Sequence, residues 1–203
     1  IRRSLQRVNR KKKIVTTTSQ QQLRIRYRKI RAELTRIKRD HATRTISQTV
    51  INSSWFQRSQ NIACYLSTSD EVGTWQIIER ALRMKKRIFA PIVKKNNVMQ
   101  FQELKAKSVL RKNDYGLFEP RDGQLINANN LDVVITPLVA FDHLNNRVGM
   151  GGGHFDRTFA FLKDRHSYFH PKLIGVAFAC QKTTIISPNP WDVRLYSVIS
   201  DES

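Results

Sequence analysis

Cysteine is scarce in this chain: Cys64 and Cys180 are its only two in 203 residues, too far apart for a CxxC pair or a zinc ligand spacing. A disulfide framework and a cysteine-held metal are thereby excluded, and buried free thiols in a reducing compartment are expected. Long hydrophobic runs are also missing, since no apolar stretch approaches the roughly 20 residues that a bilayer span requires. Acidic residues are few, with 16 Asp and Glu against 36 Lys and Arg and a formal net charge of +20. Glycine is sparse as well, and four of the eight glycines fall within five consecutive positions, 149–153.

The charge is unevenly spread. Residues 1–39 hold fifteen Lys and Arg and one acid, Glu33, a net of +14, and the remaining 164 residues carry only +6. Residues 1–18 are basic, Ser/Thr-rich and weakly periodic, and they read as a basic disordered or leader segment outside the fold. An acid-free, Arg-rich start also fits an organellar transit peptide, and Ile1 in place of Met fits a lost upstream piece. Cytoplasm is otherwise the expected compartment. Length and the 40% hydrophobic content fit one well-buried domain over residues 19–203.

From Ser19, a reasonable N-cap, Leu23, Tyr27, Ile30, Leu34 and Ile37 recur at helical spacing, and Arg24, Arg28 and Arg31 share a neighbouring face. A second helix is expected over residues 43–56. Alternation follows: a buried strand over 61–66, a polar loop 67–71, a helix over 73–85 and a strand over 87–92. Asn96-Asn97 marks a turn into a short, more exposed strand over 98–101. Central and late buried strands are expected over 132–136 and 172–178. This order predicts an α/β domain, a mainly parallel, doubly wound, Rossmann-like sheet flanked by helices, with a helical N-terminus. Ligands in such sheets collect beyond the carboxyl ends of strands, which puts the 67–71 and 149–153 loops in one crevice.

Within Arg147-Val148-Gly149-Met150-Gly151-Gly152-Gly153-His154-Phe155-Asp156-Arg157, the glycines allow several backbone N–H groups to converge on one point. Arginines bracket the loop and Asp156 supplies a carboxylate, a combination suited to a nucleoside triphosphate with its magnesium ion. The loop matches neither the Walker A pattern nor the dinucleotide pattern Gly-x-Gly-x-x-Gly. General motif logic therefore reaches an anion-binding loop for a nucleotide.

This segment, with Thr136-Pro137-Leu138-Val139-Ala140-Phe141-Asp142 before it, resembles the signature of the 5-formyltetrahydrofolate cyclo-ligase family, also called 5,10-methenyltetrahydrofolate synthetase. Matches in order at Tyr65-Leu66, Asp70-Glu71-Val72-Gly73-Thr74, Pro91, Glu119-Pro120 and Trp191-Asp192 extend the resemblance from about Gln20 to Ser200. It implies an ATP- and Mg²⁺-dependent ligase that turns 5-formyltetrahydrofolate into 5,10-methenyltetrahydrofolate and releases ADP and phosphate. In that scheme the formyl oxygen attacks the γ-phosphate, and N10 closes the ring as phosphate leaves. The implied ATP contacts are Gln20, Arg24, Arg147, Gly149, Met150, Gly151, Gly152, Gly153, His154, Phe155, Asp156 and Arg157. Asp156 and Asp192 are the implied metal ligands. Glu71 is the implied folate contact and, with Arg147 and Arg157, carries catalysis, while Leu66, Tyr115 and Phe118 would wall a pterin slot. Without the resemblance, Glu71 reads as an acid favoured by a nearby helix N-terminus, and Asp192 as a turn acid.

Two departures stand out. Where the family has a lysine three residues before its Leu-Arg pair, this chain has Gln20, which predicts weaker phosphate affinity unless a neighbour such as Arg28 substitutes. The aromatic pair of the loop, commonly Tyr-Tyr, is His154-Phe155. The implied partners are small molecules, with nucleic acid reached only non-specifically through the basic arm. The rival readings are a non-catalytic nucleotide- or folate-binding protein and a basic nucleic-acid-binding protein on the same fold.

Overall fold

The computed structural model describes residues 19–94, 98–114, 116–163 and 170–202. The basic segment expected over 1–18, the Asn96-Asn97 turn and the expected pterin-wall residue Tyr115 lie outside the described residues. Helix α1 (Gln20–Ala32) opens on a capping box: the Ser19 hydroxyl accepts from the Gln22 amide at 3.2 Å, and the Ser19 N–H donates to Gln22 Oε1 at 3.1 Å. The periodicity carries this helix through Ile37 and starts the next at Thr43. The chain breaks earlier, because the Thr35 side chain accepts from Lys38 and caps α2 (Arg36–Asn52). Ile37 is consequently 82% exposed, outside the apolar stripe. A short α3 (Ser54–Arg58) follows, capped by Ser53.

The remaining elements are β1 (Asn61–Cys64), α4 (Trp75–Arg83), β2 (Arg87–Val93), β3 (Met99–Leu104), β4 (Leu110–Lys112), β5 (Phe118–Pro120), β6 (Leu125–Ile126), β7 (Val133–Pro137), β8 (Ala140–Phe141), β9 (Arg147–Val148), α5 (His154–Thr158), β10 (Lys172–Val176) and β11 (Ser197–Ile199). Seven of the strands form one sheet in the order β11-β10-β7-β1-β2-β3-β6. Pairing is parallel from β11 through β2 and antiparallel where β3 and β6 extend the edge. The mainly parallel α/β sheet of the sequence reading is therefore present.

Alternation along the strands buries both faces. Ile62, Ile88, Val133 and Ile135 pack with Ile46 and Val50 of α2 and Ile77 and Ile78 of α4. Ala63, Phe89, Val134 and Leu173 point the other way, against Phe159 beside α5. A third cluster seats Leu23 and Tyr27 of α1 on Val139, Ala140 and Val148 of the β8–β9 hairpin. Two strands differ from expectation. β3 runs to Leu104 with Met99 and Phe101 buried, where a short exposed strand was expected. β11 is three residues long, too short for a periodic signal, and is fixed by its parallel register on β10.

Cys64 is fully buried and unpaired, and burial, partly offset by a Thr74 hydrogen bond, pushes its thiol up to about 12. For the site, one feature of the topology matters most. From β1 the chain moves outward to β2 and β3, then returns to β7 on the other side of β1 and proceeds to β10 and β11. The switch point falls between β1 and β7, and the loops leaving their carboxyl ends bound a crevice.

Candidate active site

β7 delivers the chain into the β8–β9 hairpin, which is organised by Asp142. This buried carboxylate accepts from the Leu144 and Asn146 amides on Oδ1, each at 2.9 Å, and from the Ile186 amide at 2.9 Å and Asn146 Nδ2 at 3.0 Å on Oδ2. With both oxygens engaged, Asp142 is scaffold. β9 then leads into the glycine turn. Gly151 and Gly153 take φ of +104° and +64°, where an L side chain is strained. A Cβ on Gly153 would also lie 2.7 Å from Arg157 Nη1, and one on Gly152 would lie 2.8 Å from the His154 ring. Around Gly149 a Cβ would meet nothing within 4 Å.

The charged side chains separate into two layers. Arg147, expected to offer its guanidinium to phosphate, is buried, donates to Asp156 Oδ1 at 2.7 Å and also donates to the Val193 carbonyl. Its donors brace the loop from beneath. Arg157 is exposed at the rim and donates to the Gly152 carbonyl at 2.8 Å. Arg24, reaching across from α1, donates through Nε to the Gly149 carbonyl at 2.8 Å. Met150 is exposed, while Phe155 is turned inward, its ring 6.2 Å from that of Phe159. His154 is half-buried, with Nδ1 at 3.4 Å from Arg157 Nη2.

Asp156 and Asp192 are brought together through one residue: the amide of Val193, next to Asp192, donates to Asp156 Oδ1 at 3.0 Å. Asp192 Oδ2 accepts from the Asn189 amide at 2.8 Å and from Gln20 Nε2 at 2.7 Å. Gln20 Nε2 also donates to the Ser187 carbonyl at 3.2 Å, so both amide hydrogens are engaged within the protein. Gln20, expected as a weak phosphate contact, here tethers Asp192. Asp156 Oδ2 and Asp192 Oδ1 accept no hydrogen bond among the described residues. No group of three or more His, Cys, Asp or Glu suited to a metal occurs among them. Two carboxylates with open oxygens fit Mg²⁺, which takes one or two carboxylates and completes its shell with water and phosphate.

Glu71 lies in the loop leaving β1, across the switch point. Its Oε2 accepts from the Thr68 amide at 2.9 Å and the Thr68 hydroxyl at 3.0 Å, and Oε1 accepts nothing among the described residues. It precedes the α4 N-cap, Thr74, and the first turn of α4 holds no acid, so a helix-dipole role does not describe it. Burial, and after it the nearby Glu71 charge, raises the Tyr65 phenol well above its usual value, and Tyr65 donates to the Val72 carbonyl at 2.9 Å. Leu66 packs on the α2–α4 side of the core. Phe118 is half exposed on β5 with the Lys112 ammonium 5.5 Å from its ring. Neither lines the cavity of about 640 Å³ between β3, β6 and α5, whose walls include Met99, Phe101, Asn127, Asn129 and Phe161 and which Arg157 borders.

Sequence reading missed three residues that organise this site. Arg31 pairs with Asp70 at 2.6 Å, Thr68 holds Glu71, and Gln181 Nε2 donates to the Leu138 and Val139 carbonyls at 2.9 and 3.0 Å. A signal for Arg31 existed in its place four residues after Tyr27 and seven after Arg24, in line with the buried face of α1.

Fold and site together define a doubly wound α/β protein with a glycine turn flanked by guanidinium groups near its topological switch point. The particular family comes from comparison with known proteins. A sequence profile of the 5-formyltetrahydrofolate cyclo-ligase family matches residues 16–201, and the chain belongs to that family and to the ligases. It is 31% identical to the 5-formyltetrahydrofolate cyclo-ligase of Haemophilus influenzae over 189 residues, covering 91% of this chain and 99% of the relative. The fold is similar to that of the 5,10-methenyltetrahydrofolate synthetase of Aquifex aeolicus, with a TM-score of 0.78, 23% identity and coverage of 91% and 90%. The synthetase of Mycoplasma pneumoniae gives a TM-score of 0.72 at 23% identity, with coverage of 91% and 99%.

Proposed function

We propose that this chain converts 5-formyltetrahydrofolate to 5,10-methenyltetrahydrofolate, using ATP with Mg²⁺ and releasing ADP and phosphate. The observation that carries the reading is the braced glycine turn: Arg147, Asp156 and the Val193 strap hold it from beneath while Arg24 and Arg157 flank it. Backbone donors and two accessible guanidinium groups are what a transferring phosphoryl group needs, since such catalysis is largely positioning and charge stabilisation. Asp156 and Asp192 would hold Mg²⁺, which supplies charge neutralisation on the phosphate oxygens. Arg157 is the proposed cation for the γ-phosphate as the formyl oxygen attacks it and the bond to ADP breaks. Glu71 Oε1, across the switch point, is the proposed acceptor for folate N–H groups, holding N10 toward the formyl carbon until the C–O bond to phosphate breaks. The cavity that Arg157 borders, lined by Met99, Phe101 and Phe161 together with Gln100, Asn127 and Asn129, is large enough for a ring system. The free thiols of Cys64 and Cys180 fit the cytoplasm as the proposed location.

The test is coupling. ADP release from ATP-Mg should require 5-formyltetrahydrofolate and should match methenyltetrahydrofolate formation mole for mole. ADP release that proceeds equally without the folate would refute the assignment.

A further inference from the structure

Helix α1 presents Gln20, Arg24, Tyr27 and Arg31 at steps of four, three and four residues, a single stripe. Each reaches a different segment: Gln20 reaches Asp192, Arg24 the Gly149 carbonyl, Tyr27 the Lys182 carbonyl, and Arg31 the Asp70 carboxylate. Arg31 is the buried end of the stripe. Its side chain is 3% exposed, and Nη2 sits 2.6 Å from Asp70 Oδ2. Nη1 points at the Leu138 carbonyl, 3.5 Å away, where the chain leaves β7. One helix side chain thus spans the two strand ends that bound the switch point.

Asp70 immediately precedes Glu71, and Thr68 joins the two. The Thr68 hydroxyl is 2.8 Å from Asp70 Oδ1 and 3.0 Å from Glu71 Oε2, and the Thr68 amide donates to the same Glu71 oxygen. Burial alone would raise the Asp70 carboxyl; the Thr68 and Arg31 hydrogen bonds and the Arg31 charge outweigh it and hold Asp70 below the usual carboxylate range. A buried guanidinium is a poor way merely to fasten a loop. It gives up hydration, and its Nε has no partner among the described residues. The loop already has a main-chain anchor, since Arg39 donates to the Asp70 carbonyl at 2.7 Å and to the Arg31 carbonyl at 3.1 Å. What the Arg31–Asp70 pair adds is a fixed direction for the carboxylate beside Glu71.

We propose that Arg31 is a positioning residue: through Asp70 and Thr68 it sets the direction of Glu71 Oε1 and registers it, along α1, against the glycine loop that Arg24 holds. The proposal rests on the reading that Glu71 contacts the folate. It predicts an effect on one substrate only. Loosening Glu71 weakens folate binding and turnover, whereas Arg24 and the glycine turn keep their own contacts.

Asp70→Asn and Thr68→Val test it by steady-state kinetics, with hydrogen–deuterium exchange of peptides covering 66–72. Asp70→Asn should raise KM for 5-formyltetrahydrofolate about tenfold, in keeping with the sensitivity of catalysis to small misplacements, with KM for ATP unchanged within about twofold. Exchange should rise in 66–72 and stay unchanged in α1 and in 147–157. Should Asp70→Asn fail to fold with Arg31 left unpaired, Thr68→Val keeps the ion pair and is expected to give the same split, more weakly. Equal rises in both KM values, or unchanged folate KM and unchanged loop exchange in a folded variant, would overturn the proposal. A wild-type chain without turnover would instead refute the proposed function, and the exchange pattern would still decide whether Arg31, Asp70 and Thr68 order the Glu71 loop.

Discussion

A single methyl group separates the glycines of the turn into two, Gly151 and Gly153, whose positive φ requires them, and two that the backbone does not require. At Gly153 a side chain meets both a positive φ and the Arg157 guanidinium at 2.7 Å, whereas Gly149 has open space and ordinary φ. Gly149→Ala should therefore leave ATP affinity within about twofold, and Gly153→Ala should lower it roughly tenfold, from about 1–2 kcal/mol of left-handed strain. Calorimetric titration of ATP-Mg into both variants checks this, and equal affinities would remove the steric account of the turn. Glu71→Gln poses a different question. The glutamine carbonyl oxygen can still accept from Thr68, so the loop and the melting temperature should be nearly unchanged while turnover falls on the order of a hundredfold with the lost anion. Wild-type turnover with a lowered melting point would return Glu71 to a purely local role.

Among the elements, α1 carries more of the site than its sequence announces. Its Gln20 amide is the side-chain donor that ties the helix to Asp192. Gln20→Ala should raise the Mg²⁺ concentration for half-maximal activity about fivefold, the equivalent of about 1 kcal/mol for one hydrogen bond. An unchanged Mg²⁺ requirement would detach Asp192 from the metal. The inner strands were legible because continuous apolar runs at 62–64, 88–92, 133–135 and 173–176 admit few other readings, and the glycine turn was legible from composition alone. Other features were hidden for physical reasons. Thr35 looks like any threonine in a helical run, yet its cap splits α1 from α2. Arg28 and Arg31 are alike in sequence, but one is exposed and the other buried against Asp70, a partner 39 residues away. Arg147 reads in the motif as a phosphate ligand, and its burial with donors on Asp156 and the Val193 carbonyl has no signal in the sequence.

At the scale of the whole molecule, the sheet order arranges the candidate site, because the strand order reverses between the parallel neighbours β1 and β7, and the Glu71 loop and the segment that leads to the glycine turn leave the carboxyl ends of those two strands. The net charge of +20 is a separate matter, concentrated before residue 40. Since α1 is capped by its own Ser19, removal of residues 1–18 should leave kcat within about twofold, and a protein acting through its basic arm would lose its affinity instead. The central claim, that this fold closes a folate ring with ATP, is tested most directly by ultraviolet absorbance of methenyltetrahydrofolate in a mixture of the full chain, 5-formyltetrahydrofolate, ATP and Mg²⁺. Absorbance should grow in the complete mixture and stay at baseline when ATP is omitted or Mg²⁺ is chelated. A flat trace in the complete mixture, from folded protein that binds ATP, would contradict the account.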